Sequence, residues 1–350
     1  MKTATIALTG LLALAATSAI AKNFIGGEIY SAEKVKYGRW EIRMQMPRLG
    51  GAVSSFFTYE PDSWMGGDHP WREIDIEYLG NKNTGFQSNI ITGAAEKKFT
   101  SEKFHTTVGD PGSGFHTYGL EWTPDSVSWF FDGKLLRTTK ATNSDQVGDM
   151  QDLPQTYRMN LWASTSTAWV GSFDSTHLPA YQVIKYMKYS TYTPGAGLNG
   201  SNFTPAWTDS FATFDNKRWA KGDWTFDENY VDFKASNILV KDKHLILCLT
   251  DADHPGLVGS FPHDTATSTG ISTSRNLSSL NVRSAAEGLD VQIPDGAGDW
   301  QLRVHDSAGK LLASRSGHGN GNVQLPLAGK GLRLVSLVTQ DTRLQQRIIQ

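Results

Sequence analysis

Between Tyr37 and Met46 apolar and polar residues take turns, with Trp40, Ile42, Met44 and Met46 set against Arg39, Glu41, Arg43 and Gln45. A period of two puts one set on each face of an extended chain, so the segment reads as a half-buried strand. Short β-prone or aromatic-rich runs recur at 53–59, 73–79, 86–92, 115–122, 127–131, 135–139, 157–162 and 180–189, bounded by Gly, Pro, Asp and Asn. Asp132-Gly133 between two of them is a tight hairpin signal. No long amphipathic helical pattern interrupts the series, so the expected fold is all-β, an antiparallel β-sandwich.

The stretch 193–202 is rich in Gly and reads as a flexible connection, after which strand-like aromatic segments run from Phe203 to Leu249. Roughly 50 residues are few for an independent core without disulfides, so these segments are expected to complete the first sandwich, giving one unit over 22–250. Cys248 is the only cysteine, which excludes an intrachain disulfide, and its apolar run 245–249 suggests a buried, inert thiol. From 251 to about 273 Ser, Thr, Gly, Pro, His and Asp dominate, the composition of a linker. Alternation returns at Trp300-Leu302-Val304 and at Leu332, Leu334 and Val338, with a turn at 307–310, so 274–350 reads as a small separate β module.

Met1 to Ala21 has Lys2, an apolar run over 4–16 and the small-x-small ending Ala19-Ile20-Ala21, the pattern of a signal peptide. No later segment approaches the roughly 18 apolar residues of a membrane span, so a secreted, extracellular or cell-surface protein is expected. The net charge of −2 gives no reason to expect nucleic acid or an anionic membrane as partner. Aromatic residues make up 11% of the chain, including 11 Trp, which suggests that some large flat side chains are left at a binding surface, the alternative being that most of the Trp are core.

The densest chemistry is Glu73-Ile74-Asp75-Ile76-Glu77. On a strand the three carboxylates share one face and the two Ile enter the core. Three like charges in a row raise at least one pKa, and a protonated carboxylic acid beside an ionised one is what glycoside hydrolysis requires. The same pattern also describes the solvated face of an amphipathic strand. Retaining glycosidases hold their two carboxyls about 5 to 5.5 Å apart, whereas Cα atoms four apart on an ideal strand are separated by roughly 13 Å, so Glu73 and Glu77 must lean toward each other across Asp75. The nine His residues show no metal-ligand spacing, and there is no Gly-x-Ser-x-Gly elbow.

The run from Asp68 to Gly80, with Trp71 just before the carboxylates, resembles the signature of glycoside hydrolase family sixteen. The uninterrupted Glu-x-Asp-x-Glu is similar to that of lichenases and xyloglucan-active members, and the stretches 54–59, 114–118 and 159–162 resemble lichenase segments. The segment 207–250 resembles strands that normally open such a domain but here follows the catalytic strands. With the stretches 86–93 and 168–171, that order resembles the naturally permuted Fibrobacter-type lichenases, and 193–202 would then join the original termini.

The resemblance implies a jelly-roll, concanavalin-like sandwich that cuts mixed-linkage β-1,3-1,4-glucan with retention, Glu73 as nucleophile, Glu77 as general acid/base and Asp75 supporting the nucleophile. It also implies a cleft lined by Phe57, Tyr59, Gln87, Asn89, Arg158, Asn160, Trp162, Trp169, Asp223, Trp224 and Asp227, where aromatic faces stack on pyranose rings and polar groups take hydroxyls. No cofactor is implied for catalysis. A structural Ca2+ of the kind many lichenases carry would depend on backbone carbonyls and water, because its side-chain position falls on Lys185. The partner expected is the polysaccharide, acted on by a monomer, with secretion machinery engaged through the C-terminal module. A non-catalytic β-glucan-binding lectin or a xyloglucan-active enzyme are the alternatives.

Overall fold

The computed structural model describes residues 21–197, 201–264, 280–285, 287–293, 299–307, 309–318, 320–339 and 343–349. The expected signal peptide, apart from Ala21, residues 265–273 of the expected linker and 274–279 of the expected C-terminal module lie outside the described residues. In chain order the strands are β1 (Phe24–Ser31), β2 (Gly38–Gln45), β3 (Ala52–Tyr59), β4 (Glu73–Leu79), β5 (Gly85–Ala94), β6 (Lys97–Thr100), β7 (Lys103–Thr106) and β8 (His116–Trp122). They continue with β9 (Ser126–Phe131), β10 (Lys134–Lys140), β11 (Thr156–Ala163), β12 (Ala180–Tyr192), β13 (Phe203–Asp209), β14 (Trp219–Lys221), β15 (Val231–Phe233), β16 (Ile238–Lys241) and β17 (His244–Asp251).

One sheet runs β14-β1-β11-β3-β4-β5, with β6 and β7 on opposite halves of β5. The other runs β10-β9-β8-β2-β12, and beyond β12 lie β13 at one end and β17 with β16 at the other. The strands after the 193–202 connection thus complete the first sandwich. β1 belongs to both layers, since Phe24 and Ile25 pair with β17, and Gly27 to Tyr30 with β11. A Cβ on Gly26 would stand 2.6 Å from the Leu161 carbonyl, and one on Gly27 2.6 Å from that of Asn237, so the crossing requires bare backbone.

Alternation decides which residues meet between the layers. Trp40, Ile42 and Met44 of β2 and Ile74 and Ile76 of β4 are fully buried in one core with Phe56, Tyr118 and Trp129. Each such side chain contributes about 1.5–3 kcal/mol through burial. The other face of β2 is less open than its charges suggest, because Glu41 and Arg43 are buried.

Residues 252–264 explain the burial of Arg43. Their composition reads as an open connection, yet Phe261 is buried against Tyr181, Val183, Ile246 and Cys248 on the outside of the second sheet. Tyr181 Oη donates to the Val258 carbonyl at 2.8 Å and accepts from Val258 N at 3.0 Å. Arg43 Nε and Nη2 donate to the two carboxylate oxygens of Asp264 at 2.6 and 3.0 Å. Burial pushes the Cys248 thiol up to about 12, so it stays a neutral packing group.

Beyond residue 279 a three-stranded sheet (Asn281–Ala285, Gly288–Ile293, Gly321–Pro326) and a four-stranded sheet (Asp299–Asp306, Leu311–His318, Leu332–Thr339, Arg343–Ile349) form a second β unit. Its own core includes Val291, Leu302, Val304, Val335 and Leu337.

Candidate active site

Glu73, Asp75 and Glu77 project from the face of β4 opposite Ile74 and Ile76, which are wholly buried. Register places Glu73 between Tyr59 and Ile91, Asp75 between Phe57 and Asn89, and Glu77 between Ser55 and Gln87. One strand further, Phe57 stands beside Arg158 and Ser55 beside Asn160, and these in turn face Tyr30 and Glu28 of β1. The face therefore carries a continuous polar and aromatic band across five strands, from β5 to β1. From the core side Trp129 Nε1 donates to the Asp75 backbone carbonyl at 2.9 Å and anchors the strand that bears the carboxyls.

The three carboxyls differ in their partners. Burial raises all three above their ordinary range. For Glu73 the rise is opposed by a hydrogen bond from Trp71 Nε1 at 2.6 Å, by the charge of Lys98, by a hydrogen bond from Asp75 and by Arg158. Asp75 is raised well above the usual carboxylate range by burial and by both glutamates, so it is the proton donor toward Glu73. Glu77 has no such opposing influence: burial, then Glu73 and Glu102, push it up to about 8. The strand thus sets one glutamate held among donors, Glu73, beside two carboxyls, Asp75 and Glu77, that burial and neighbouring charge favour in the protonated form.

Around them the side chains sort into walls. Arg158 lies 4.8 Å from the Tyr59 ring centroid, 5.4 Å from that of Tyr30 and 5.6 Å from that of Trp224. Its Nη1 donates to Glu28 at 3.2 Å, and Asn160 Nδ2 donates to the other Glu28 oxygen at 3.0 Å. Asn160 Oδ1 in turn accepts from Ser55 Oγ at 2.5 Å. On the other side Trp162 lies 6.0 Å from Trp169 and edge-on to Phe226 at 5.0 Å. They border a pocket of about 320 Å³ whose lining includes Lys98, Glu102 and Asp227. Trp169 Nε1 donates to Gln87 Oε1 at 3.2 Å, which leaves the buried Gln87 Nε2 without a protein partner among the described residues.

Of the residues expected to line a cleft, Phe57, Tyr59, Gln87, Arg158, Asn160, Trp162, Trp169, Trp224 and Asp227 come together on this face or at its pocket. Asn89 is buried and its Oδ1 accepts from Ser101 N at 2.9 Å, so it ties down the end of β6. Asp223 is exposed and paired with Lys234 at 2.5 Å. Glu28, Tyr30, Lys98, Glu102 and Phe226 belong to the site without having been singled out. The i, i+2 parity of Glu28 and Tyr30 was the available signal for those two. Lys185 lies near the His244 imidazole, and among the described residues no three His, Cys, Asp or Glu gather into a metal-holding group.

The family model for glycosyl hydrolases family 16 matches residues 8–188. A β-glucanase of Fibrobacter succinogenes is 46% identical over 259 residues, 74% of this chain and 73% of that protein. A β-glucanase of Bacillus amyloliquefaciens is 36% identical over 181 residues, 51% of this chain and 70% of that one. Among solved structures, the Bacillus licheniformis β-glucanase superposes with a TM-score of 0.39 at 30% identity, covering 46% of this chain and 70% of that one. With the family model matched over half of its length and a relative 46% identical over 74% of it, the chain belongs to glycosyl hydrolases family 16.

Proposed function

We propose that the protein is a secreted, retaining endo-β-glucanase of the lichenase type that cuts β-1,4 bonds next to β-1,3 linkages in mixed-linkage β-glucan. The observation that carries the chemistry is the division of protons along β4, with Glu73 surrounded by donors and Glu77 pushed up to about 8. The β-glucanase relatives support the substrate class.

In this reading the Glu73 carboxylate attacks the anomeric carbon from one face of the sugar. A C1–O bond to Glu73 forms as the glycosidic C1–O bond breaks, and Glu77 gives its proton to the departing oxygen. Glu77, now a carboxylate, takes a proton from water, whose oxygen attacks C1 and releases Glu73. Two inversions leave the configuration retained. Asp75 remains protonated and hydrogen-bonded to Glu73, which keeps that carboxylate oriented. Tyr59, Trp162, Trp169 and Trp224 offer ring faces to the pyranoses, while Arg158, Asn160 and Gln87 offer donors to hydroxyls. The bent β-1,3 linkage sets the chain's path through the cleft, which makes mixed-linkage glucan the substrate.

Product analysis on lichenan, laminarin, carboxymethylcellulose and xyloglucan tests the reading. Lichenan is expected to release oligosaccharides with a β-1,3 bond at the reducing end, and the other three to stay intact. Appreciable cleavage of a pure β-1,3 or pure β-1,4 glucan overturns the linkage assignment, and binding without release of ends would make the protein a lectin. The second β unit is assigned to export or surface attachment, tested by whether a chain ending at Thr265 still reaches the medium from the native host.

A further inference from the structure

Lys98 extends from β6 and its Nζ lies 3.4 Å from the centroid of the Trp71 ring, the shortest cation-to-ring distance among the described residues. The backbone builds this stacking. Trp71 N donates to the Gly93 carbonyl at 2.8 Å, and Gly93 is the β5 partner of Lys98, so one residue positions both the ring and the cation. Gly93 has φ of +99°, and a Cβ there would stand 2.4 Å from the Lys97 carbonyl, which keeps the turn as it is. The same indole donates its Nε1 hydrogen to Glu73 at 2.6 Å. A cation on the face of an indole draws electron density from the ring and makes its N–H a better donor.

We propose that Lys98 is a positioning residue for hydrolysis, acting through Trp71 to strengthen the indole hydrogen bond to Glu73 and to stabilise negative charge on that carboxyl. The inference rests on the assignment of Glu73 as nucleophile. The charged and titratable groups facing Glu73 are Asp75 and Glu77 on β4, Tyr59 on β3, Arg158 on β11, Glu28 on β1 and Lys98 on β6. Of the two cations Arg158 is already paired with Glu28. Lys98 is therefore the cation with the larger influence on Glu73, and it opposes the rise that burial causes. Nothing in Lys97-Lys98 distinguishes these residues from an ordinary charged edge until the β5–β6 register is known.

The test compares Lys98→Gln and Lys98→Arg with the unaltered chain, reading kcat/KM against pH on soluble β-glucan and the carboxyl 13C titration of Glu73 in the whole protein. Lys98→Gln is expected to move the acidic limb, and the Glu73 titration, upward by about 0.5 to 1 unit, the solvent-screened part of what an adjacent cation can supply. Lys98→Arg is expected to restore both. An unmoved limb and titration in a folded Lys98→Gln protein overturns the proposal. So does a loss carried by KM equally at every pH, which would make Lys98 a sugar contact. If the unaltered chain cleaved no β-glucan, the nucleophile reading would fail separately, and the 13C titration would still report whether Lys98 stabilises the Glu73 charge.

Discussion

Glu73 accepts the Trp71 indole hydrogen at 2.6 Å, while Glu77, four residues along the same face, is pushed up to about 8 by burial and by the charge of Glu73 itself. The two residues are thus each other's cause. An ionised Glu73 keeps Glu77 protonated, and the protonated Glu77 spares Glu73 a like charge. A bell-shaped dependence of kcat/KM follows, with the acidic limb set by Glu73 and the basic limb, near pH 8, by loss of the Glu77 proton. Glu77→Gln should remove the basic limb and lower kcat by about 100-fold or more on natural glucan. On an aryl glucoside with a good leaving group the first step should survive, and added azide should restore turnover as a β-glycosyl azide. An α-azide product with Glu77→Ala would reverse the roles of the two glutamates.

The same proton makes stability depend on pH. Glu77 has its folded pKa raised above the unfolded value, so its contribution is fully present below about pH 4.5, the ordinary range for Glu, and fades as pH rises through about 8. Melting temperature should therefore fall between pH 5 and pH 9. Glu77→Gln, which keeps a neutral side chain of the same shape, should flatten that slope and raise the melting temperature at pH 9 by about 3 °C or more. Equal slopes in the two proteins would show that Glu77 is not protonated in the folded state.

How far the chain revealed this arrangement depends on where the cause of each feature lies. Period-two alternation marked β2 and β4, because the residues that fill the core and those that leave it are adjacent in sequence. Asp132-Gly133 marked the β9–β10 turn because both residues hold positive φ. β1 was missed: it passes from one layer to the other through Gly26 and Gly27, so neither of its faces alternates cleanly. Glu28 was missed with it, since its role comes from Arg158 and Asn160, some 130 positions away. The segment 252–264 looked like a linker because its Ser, Pro and Gly are visible locally, whereas the partners of Phe261 and Asp264 are not.

Arg158 offers a test of geometry against charge. Its guanidinium lies among the rings of Tyr59, Tyr30 and Trp224 while Nη1 donates to Glu28 and Nε to Thr156. A lysine would keep the positive charge but lose the planar stack and one of these bonds. Arg158→Lys should raise KM on β-glucan about tenfold, with a smaller effect on kcat. A KM unchanged by this replacement would mean that the platform does not meet the substrate.

The strap over the second sheet should matter to folding and not to chemistry. Arg43 and Asp264 are joined by two hydrogen bonds at 2.6 and 3.0 Å, with side-chain exposures of only 8% and 5%. Removing one member of a buried pair leaves the other charge in a low-dielectric setting, at a cost of about 3–5 kcal/mol. Asp264→Ala should therefore lower the melting temperature by about 6 °C or more, while leaving KM for β-glucan unchanged at 25 °C, because the pair lies on the sheet opposite the carboxyls. A chain ending at Pro262 should behave like Asp264→Ala, and one ending at Thr265 like the full-length catalytic unit in both stability and activity. Replacing both charges, as in Arg43→Met with Asp264→Leu, should recover most of the loss, since neither side chain then needs a partner. If the chains ending at 262 and 265 melt together, Asp264 does not hold the strap. If the chain ending at 265 loses activity when purified, the second β unit supports the sandwich as well as any role in export.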